Sequence, residues 1–178
     1  MAKHFATGKF PFHATAKKLP DDAYGQALDR FVISTLDLVV ANSAGEILLG
    51  KRAWEPAKDV FWIVGGARDR GESFEETAVR HLKRELGIEL EPMRFREVGF
   101  YSLAFAKRRQ APEDHGTHTD SHVYAVQLSD AEAAAIKPNE EYSATIWILP
   151  GEVVRKSKEF HPAIVQICRD FLFLKNKM

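Results

Sequence analysis

The chain has 178 residues, enough for one domain with a buried core, and its 25 Lys and Arg balance its 25 Asp and Glu. Zero net charge argues against a bulk polyanion such as nucleic acid as partner, and no apolar run reaches the roughly 20 residues of a membrane span. The single Cys168 excludes an intrachain disulfide; among Val165, Ile167 and Phe171 it reads as a buried thiol in a reducing, cytoplasmic compartment.

Residues 1–19 are basic without the apolar stretch of a secretory signal and read as an arm, long enough to cross to a partner subunit; 20–178 read as the folded domain. Pro20, Asp21 and Asp22 open a helix with Tyr24, Leu28 and Phe31 at helical spacing. Residues 33–40 are β-rich, 42–45 form a turn and 46–51 a second strand, which together read as a hairpin. A short apolar strand over 61–64 runs into a tight turn at Gly65 and Gly66. Ser73 and Glu76 then form a capping box for a helix whose apolar stripe is Phe74, Ala78, Leu82 and Leu86, and Gly87 stops it. There follow a strand over 97–105, a polar His-bearing loop over 107–119, a strand over 121–128, a short helix capped by Asp130, a strand over 144–149 and a closing helix over 160–174. Strands and helices mix without β-α-β alternation, which predicts an α+β fold with helices on the faces of a mixed sheet.

Residues 65–88, GGARDRGESFEETAVRHLKRELGI, carry the chemistry. They resemble the Nudix box, in which G, five residues, E, seven residues and R-E-U-x-E-E-x-G-U follow in order, U being a bulky aliphatic. Gly66, Glu72, Arg80, Leu82, Glu85, Gly87 and Ile88 stand at that spacing, seven of the nine defined positions. The resemblance implies a single-domain Nudix-type α/β/α sandwich. A glycine turn leaves a backbone carbonyl at Gly66 free, and Glu85 brings a hard oxygen to the same place, a pair suited to Mg²⁺ or Mn²⁺ held jointly with a substrate diphosphate. Glu72 can brace the loop through Arg80, or Arg80 can form a surface i,i+4 pair with Glu76. His81 and Arg84 replace two carboxylates of the pattern. Arg84 cannot ligate Mg²⁺ and repels it, which argues against a multi-metal site.

Those losses resemble the GDP-mannose mannosyl hydrolase branch of the family, over roughly residues 20–150. The segment LDLVVANSAGEILLGKRAWEPAKDVFWIVGG carries the likeness. The resemblance implies a homodimer that hydrolyses a nucleoside diphosphate sugar at the anomeric carbon with one metal. It implies that Arg52 faces the diphosphate, that Asp37 lies in the active site, that Glu141 is the remaining metal ligand and that Tyr142 stands where the branch has its base. A phenol is a poor base at neutral pH, so Glu140, His81, His122 and the histidines of residues 115–118 are substitutes. His81 lies one turn before Glu85, on the face of the helix that would meet the metal. Lys107, Arg108 and Arg109 either reach over the ligand or form a solvated loop. Trp54, Phe61, Phe100 and Tyr101 either pack the core or stack on a base. Three functions fit this pattern: attack at the sugar carbon; P–O–P cleavage with Glu72, Glu140 and Glu141 replacing the lost ligands; and nucleotide-sugar binding without turnover.

Overall fold

The computed structural model describes residues 19–175; of the expected arm, all but Leu19 lies outside the described residues. The elements run α1 (Asp21–Leu28), β1 (Ile33–Ala41), β2 (Ile47–Arg52), β3 (Phe61–Trp62), β4 (Val64–Ala67), α2 (Phe74–Leu86), β5 (Arg96–Phe105), β6 (Thr117–Gln127), α3 (Asp130–Ala134), β7 (Tyr142–Ile148), α4 (Pro150–Arg155) and α5 (Pro162–Lys175). The strands form one mixed sheet in the order β3-β2-β1-β6-β5, with β4 also on β1 and β7 also on β2. Among the described strands, only β1 and β6 pair in parallel. This is the α+β arrangement expected, a mixed sheet flanked by helices in a single domain.

Alternation along β1 divides the core. Leu36, Leu38 and Val40 pack with Phe74, Ala78, Leu82 and Leu86 of α2. Val39 and Ala41 point the other way, to Ile164, Ile167, Cys168 and Phe171 of α5. Each such fully buried aliphatic side chain stabilises by roughly 1.5–3 kcal/mol. Cys168 is the buried thiol expected, and burial pushes its pKa up to about 12.

α2 begins and ends where its sequence says. Ser73 Oγ accepts the Glu76 N–H at 3.1 Å, and Glu76 Oε2 accepts the Ser73 N–H at 2.7 Å. Gly87 closes the helix at φ 71°. Other expectations need correction. α1 stops at Leu28, so Phe31 lies beyond it and is exposed. The expected β1–β2 hairpin does form, antiparallel across the 42–45 turn, but its pairing is limited to Ala41 and Ile47, while β2 pairs along its whole length with β7. α3 is capped by Ser129, which makes its own capping box with Glu132, and not by Asp130. The expected polar loop ends at Thr117, where β6 begins, and α4 was not foreseen.

The largest correction concerns Gly65 and Gly66. They are not a turn but lie in β4, paired with Asp37 and Leu36 of β1. A Cβ on Gly65 would sit 2.3 Å from the Leu36 carbonyl oxygen and 2.5 Å from Asp37 Oδ1, at a φ of 152° that side chains rarely adopt. Glycine is required because the strand passes so close to Asp37.

Candidate active site

A cleft of about 1230 Å³ opens beside the β1–β4 pairing, lined by Thr35, Asp37, Arg52, Gly66, Arg84 and Glu141 among others. Thr35 and Asp37 share the Val39 face of β1 but project into the cleft rather than the α5 core. Asp37 is buried and accepts a hydrogen bond from the Ser121 hydroxyl on the parallel strand β6. Burial raises its pKa to about 6, against the lowering effects of Ser121, His81 and Arg52. A carboxyl group titrating there can take a proton near neutral pH. Arg52, at the end of β2, lines the same cleft, and its buried Nε has no hydrogen-bond partner among the described residues.

Beneath Gly66 lies a second cluster. Glu85 is fully buried, and both its oxygens are taken. Oε1 accepts from Arg84 Nη2 at 2.5 Å and lies 3.1 Å from His81 Nδ1; Oε2 accepts the Gly65 N–H at 3.3 Å and the Tyr142 hydroxyl. Burial raises the Glu85 pKa, but His81, Arg84 and Tyr142 outweigh it and the net shift is downward. The other His81 nitrogen lies 3.1 Å from the Ala67 carbonyl oxygen. Both ring nitrogens face protein oxygens inside the buried cluster, so neither opens onto the cleft as a base would. His81 is fully buried beside Glu85 on the same face of α2, as their spacing predicts. Tyr142 is no base either: burial, followed by the neighbouring Glu85 charge, pushes its phenol far above its ordinary range. Its ring fills the space above Gly50, where a Cβ would come within 2.1 Å.

Arg84 also holds Glu141, with Nε 3.3 Å from Oε1. The three groups expected to ligate a metal, Gly66, Glu85 and Glu141, thus surround a guanidinium. Among the described residues no group of three or more His, Cys, Asp and Glu is arranged to hold a metal ion. This donor set does not fit a divalent cation: Glu85 already accepts from four donors, and Arg84 brings a positive charge between the two carboxylates.

The other expected residues scatter. Glu72 does pair with Arg80, 2.6 Å from Nε and 2.7 Å from Nη2, while Arg80 also donates to the Ala67 carbonyl; the brace forms and the Glu76 pair does not. His122 lies on the opposite face of β6 from Ser121, between Phe74 and Phe100, away from the cleft. Arg108 is buried, donating to Asp29 and to the carbonyls of Gln110, Gly116 and Ala111, so it ties its loop to the end of α1 and has little left for a ligand. Arg109 sits over the exposed Trp54 ring at 5.6 Å and lines the cleft. His115 contacts Asp29 and His118 contacts Ser102, so they do not form a metal pair. Phe61 packs against the α5 core, where Tyr101 also packs while donating its hydroxyl to Asp170. Thr35, whose buried Oγ1 is unpartnered among the described residues, and Ser121 were missed. Thr35 was findable two positions before Asp37 on an alternating strand; Ser121 needed the register of β6.

Known proteins agree with this architecture. A protein of Methanosarcina mazei described as MutT matches with TM-score 0.63 at 16% identity, over 83% of this chain and 96% of that one. An Ap4A hydrolase of C. elegans in a binary complex matches with TM-score 0.61 at 17% identity, over 83% and 100%. At these identities the likeness is one of fold. The low-salt glycan biosynthesis protein Agl8 of Haloferax volcanii is 29% identical over 73 residues, 41% of this chain, and the match spans 46% of that protein's length. The described residues include no helix long and apolar enough to cross a membrane. The NUDIX domain profile matches residues 34–171, most of the chain, and the protein belongs to that family.

Proposed function

We propose that the protein hydrolyses a nucleoside diphosphate sugar of the GDP-mannose kind at the anomeric carbon, giving the sugar and a nucleoside diphosphate. The observation that carries this is a cleft lined by Asp37, titrating at about 6 within the electrostatic reach of Arg52, and by the guanidinium groups of Arg52 and Arg84. Asp37 takes a proton from water as the water oxygen bonds to carbon. The C–O bond to the diphosphate breaks, and its electron pair leaves on a phosphate oxygen. A guanidinium matches that developing charge with paired donors, so Arg52 stabilises the leaving group. Attack at carbon asks for a base and a leaving-group clamp, and both are supported by side chains already in the cleft.

NUDIX proteins in general use a divalent metal, and the expected cofactor was Mg²⁺ or Mn²⁺. No step here is assigned to one, because Glu85 and Glu141 are held by Arg84. The same contacts weaken P–O–P cleavage, which needs replacement ligands: Glu72 is committed to Arg80, and Glu141 to Arg84. The reading carries with it a homodimer, checked by light scattering.

The test is incubation with a panel of nucleotide sugars in ¹⁸O-water, with and without Mg²⁺, followed by location of the label. Label in the sugar is the expected result. Label in a phosphate product would sink the proposal. Tight binding with no product would leave a nucleotide-sugar binding protein in its place.

A further inference from the structure

The cation that this cleft presents to a phosphate is a side chain. We infer that the Arg84 guanidinium stands in for the divalent ion, binding the diphosphate of the ligand directly so that binding needs no metal; this rests on the reading that the cleft takes a nucleoside diphosphate derivative. Four observations support it. Arg84 bridges the two carboxylates between which a metal was expected, Glu85 at 2.5 Å and Glu141 at 3.3 Å. The bridge is positioned from both sides. Asn139 takes the Glu141 N–H on Oδ1 at 3.0 Å, donates from Nδ2 to the Arg84 carbonyl at 3.2 Å and gives its own N–H to the Glu85 carbonyl at 2.9 Å. The guanidinium lies beside Gly66, where a Cβ would meet Arg84 Nη2 at an ordinary contact distance of 3.7 Å. Finally, the Arg84 side chain is 38% exposed and lines the cleft, and its Nη1 makes no hydrogen bond among the described residues.

The physical logic favours the guanidinium over an ion at this spot. Mg²⁺ demands a near-octahedral oxygen shell at about 2.0–2.1 Å, whereas Glu85 has no oxygen that is not already accepting. A metal would have to evict Arg84 from a close charged contact and bring two positive charges beside it. A guanidinium held flat by carboxylates on one side presents its remaining N–H groups as a fork, the geometry that two phosphate oxygens accept. Arg52, whose buried Nε has no partner among the described residues, brings a second guanidinium to the same cleft.

The experiment is calorimetric titration of the full chain with inorganic pyrophosphate, in EDTA and in Mg²⁺. Wild type should bind with affinities within about threefold of each other in the two buffers. Arg84→Gln should weaken binding in EDTA by roughly ten- to a hundredfold, the loss of charged hydrogen bonds to phosphate. Arg84→Glu should bind pyrophosphate only when Mg²⁺ is present, an outcome that a purely structural arginine would not give. Circular dichroism verifies that each variant is folded, and the wild-type comparison stands even if one is not. Wild-type binding that requires Mg²⁺ overturns the inference and leaves the proposed substrate class intact. So does unchanged binding by Arg84→Gln in EDTA. No binding by wild type in either buffer overturns both the inference and the reading beneath it.

Discussion

In the first half of the segment 65–88, Glu72 reaches Arg80 through two short hydrogen bonds, and Arg80 ties the strand carbonyl of Ala67 to α2. In the second half, one turn further along the same helix, His81, Arg84 and Glu85 form a closed cluster beneath Gly65. The first half keeps the residues of the family pattern and builds the brace they imply. The second keeps Glu85 alone of its three carboxylates, and that carboxylate changes from an open ligand to the hub of four donors. Scaffold and chemistry are therefore separable within a motif of some two dozen residues. The brace depends on a pair that is local to the loop and helix, while the chemistry depends on what surrounds one carboxylate.

The largest effect should come at Asp37, which meets the second half across Gly65. Asp37→Asn removes the base, and kcat for a nucleotide sugar should fall by roughly a hundred- to ten-thousandfold in steady-state assays. The folded protein should at the same time become more stable at pH 8 in urea melts. The Asp37 carboxyl titrates at about 6 in the folded chain against 3.8 when free, so the native state holds its proton more tightly than the unfolded one. Its contribution is fully present below about pH 4 and is lost as pH rises through about 6, and relieving it is worth up to roughly 3 kcal/mol. Activity of the wild type should rise over the same interval as the carboxylate forms. Equal stability of wild type and Asp37→Asn at pH 8 would count against this strain.

Next come the two carboxylates of the comparison itself. Glu85→Ala strands His81, Arg84, the Tyr142 hydroxyl and the Gly65 amide, and should destabilise by about 3–5 kcal/mol. Glu72→Ala breaks a pair that is partly open to solvent, so screening brings the expected loss to about 1 kcal/mol. Comparable losses in urea melts would erase the distinction between the two halves. The smallest effect is a pH signature. Burial raises the Glu72 pKa, but the hydrogen bonds from Arg80, Thr77 and the Asp69 amide lower it further, for a net depression. The stability it adds is present above its ordinary value of 4.5 and is lost as pH falls, so wild type and Glu72→Gln should converge in acid.

What the sequence revealed was whatever its neighbours along the chain decide. The capping box at Ser73, the stop at Gly87 and the stripe Phe74, Ala78, Leu82 and Leu86 are local signals, and each appears as read. Asp37 and Arg52 were found by resemblance, and both line the cleft. The misreadings concern partners far away in the chain. Gly65 is glycine because β1 passes beneath it, which no local pattern reports. Lys107, Arg108 and Arg109 read as one basic cluster, yet Asp29 draws Arg108 inside while Arg109 stays over Trp54. Arg84 read as a defect because Glu141, held over it by Asn139, lies 57 residues later and only the fold unites them. Gly50 was a usable clue: a glycine inside a strand marks a close approach, here by the Tyr142 ring.

The central claim is that a guanidinium holds the position expected of a metal, and the direct measurement is an electron paramagnetic resonance titration of the wild-type chain with Mn²⁺ alone. The account predicts that the free Mn²⁺ signal grows in proportion to what is added, with no tight site. Stoichiometric loss of that signal, abolished by Glu85→Gln, would contradict it.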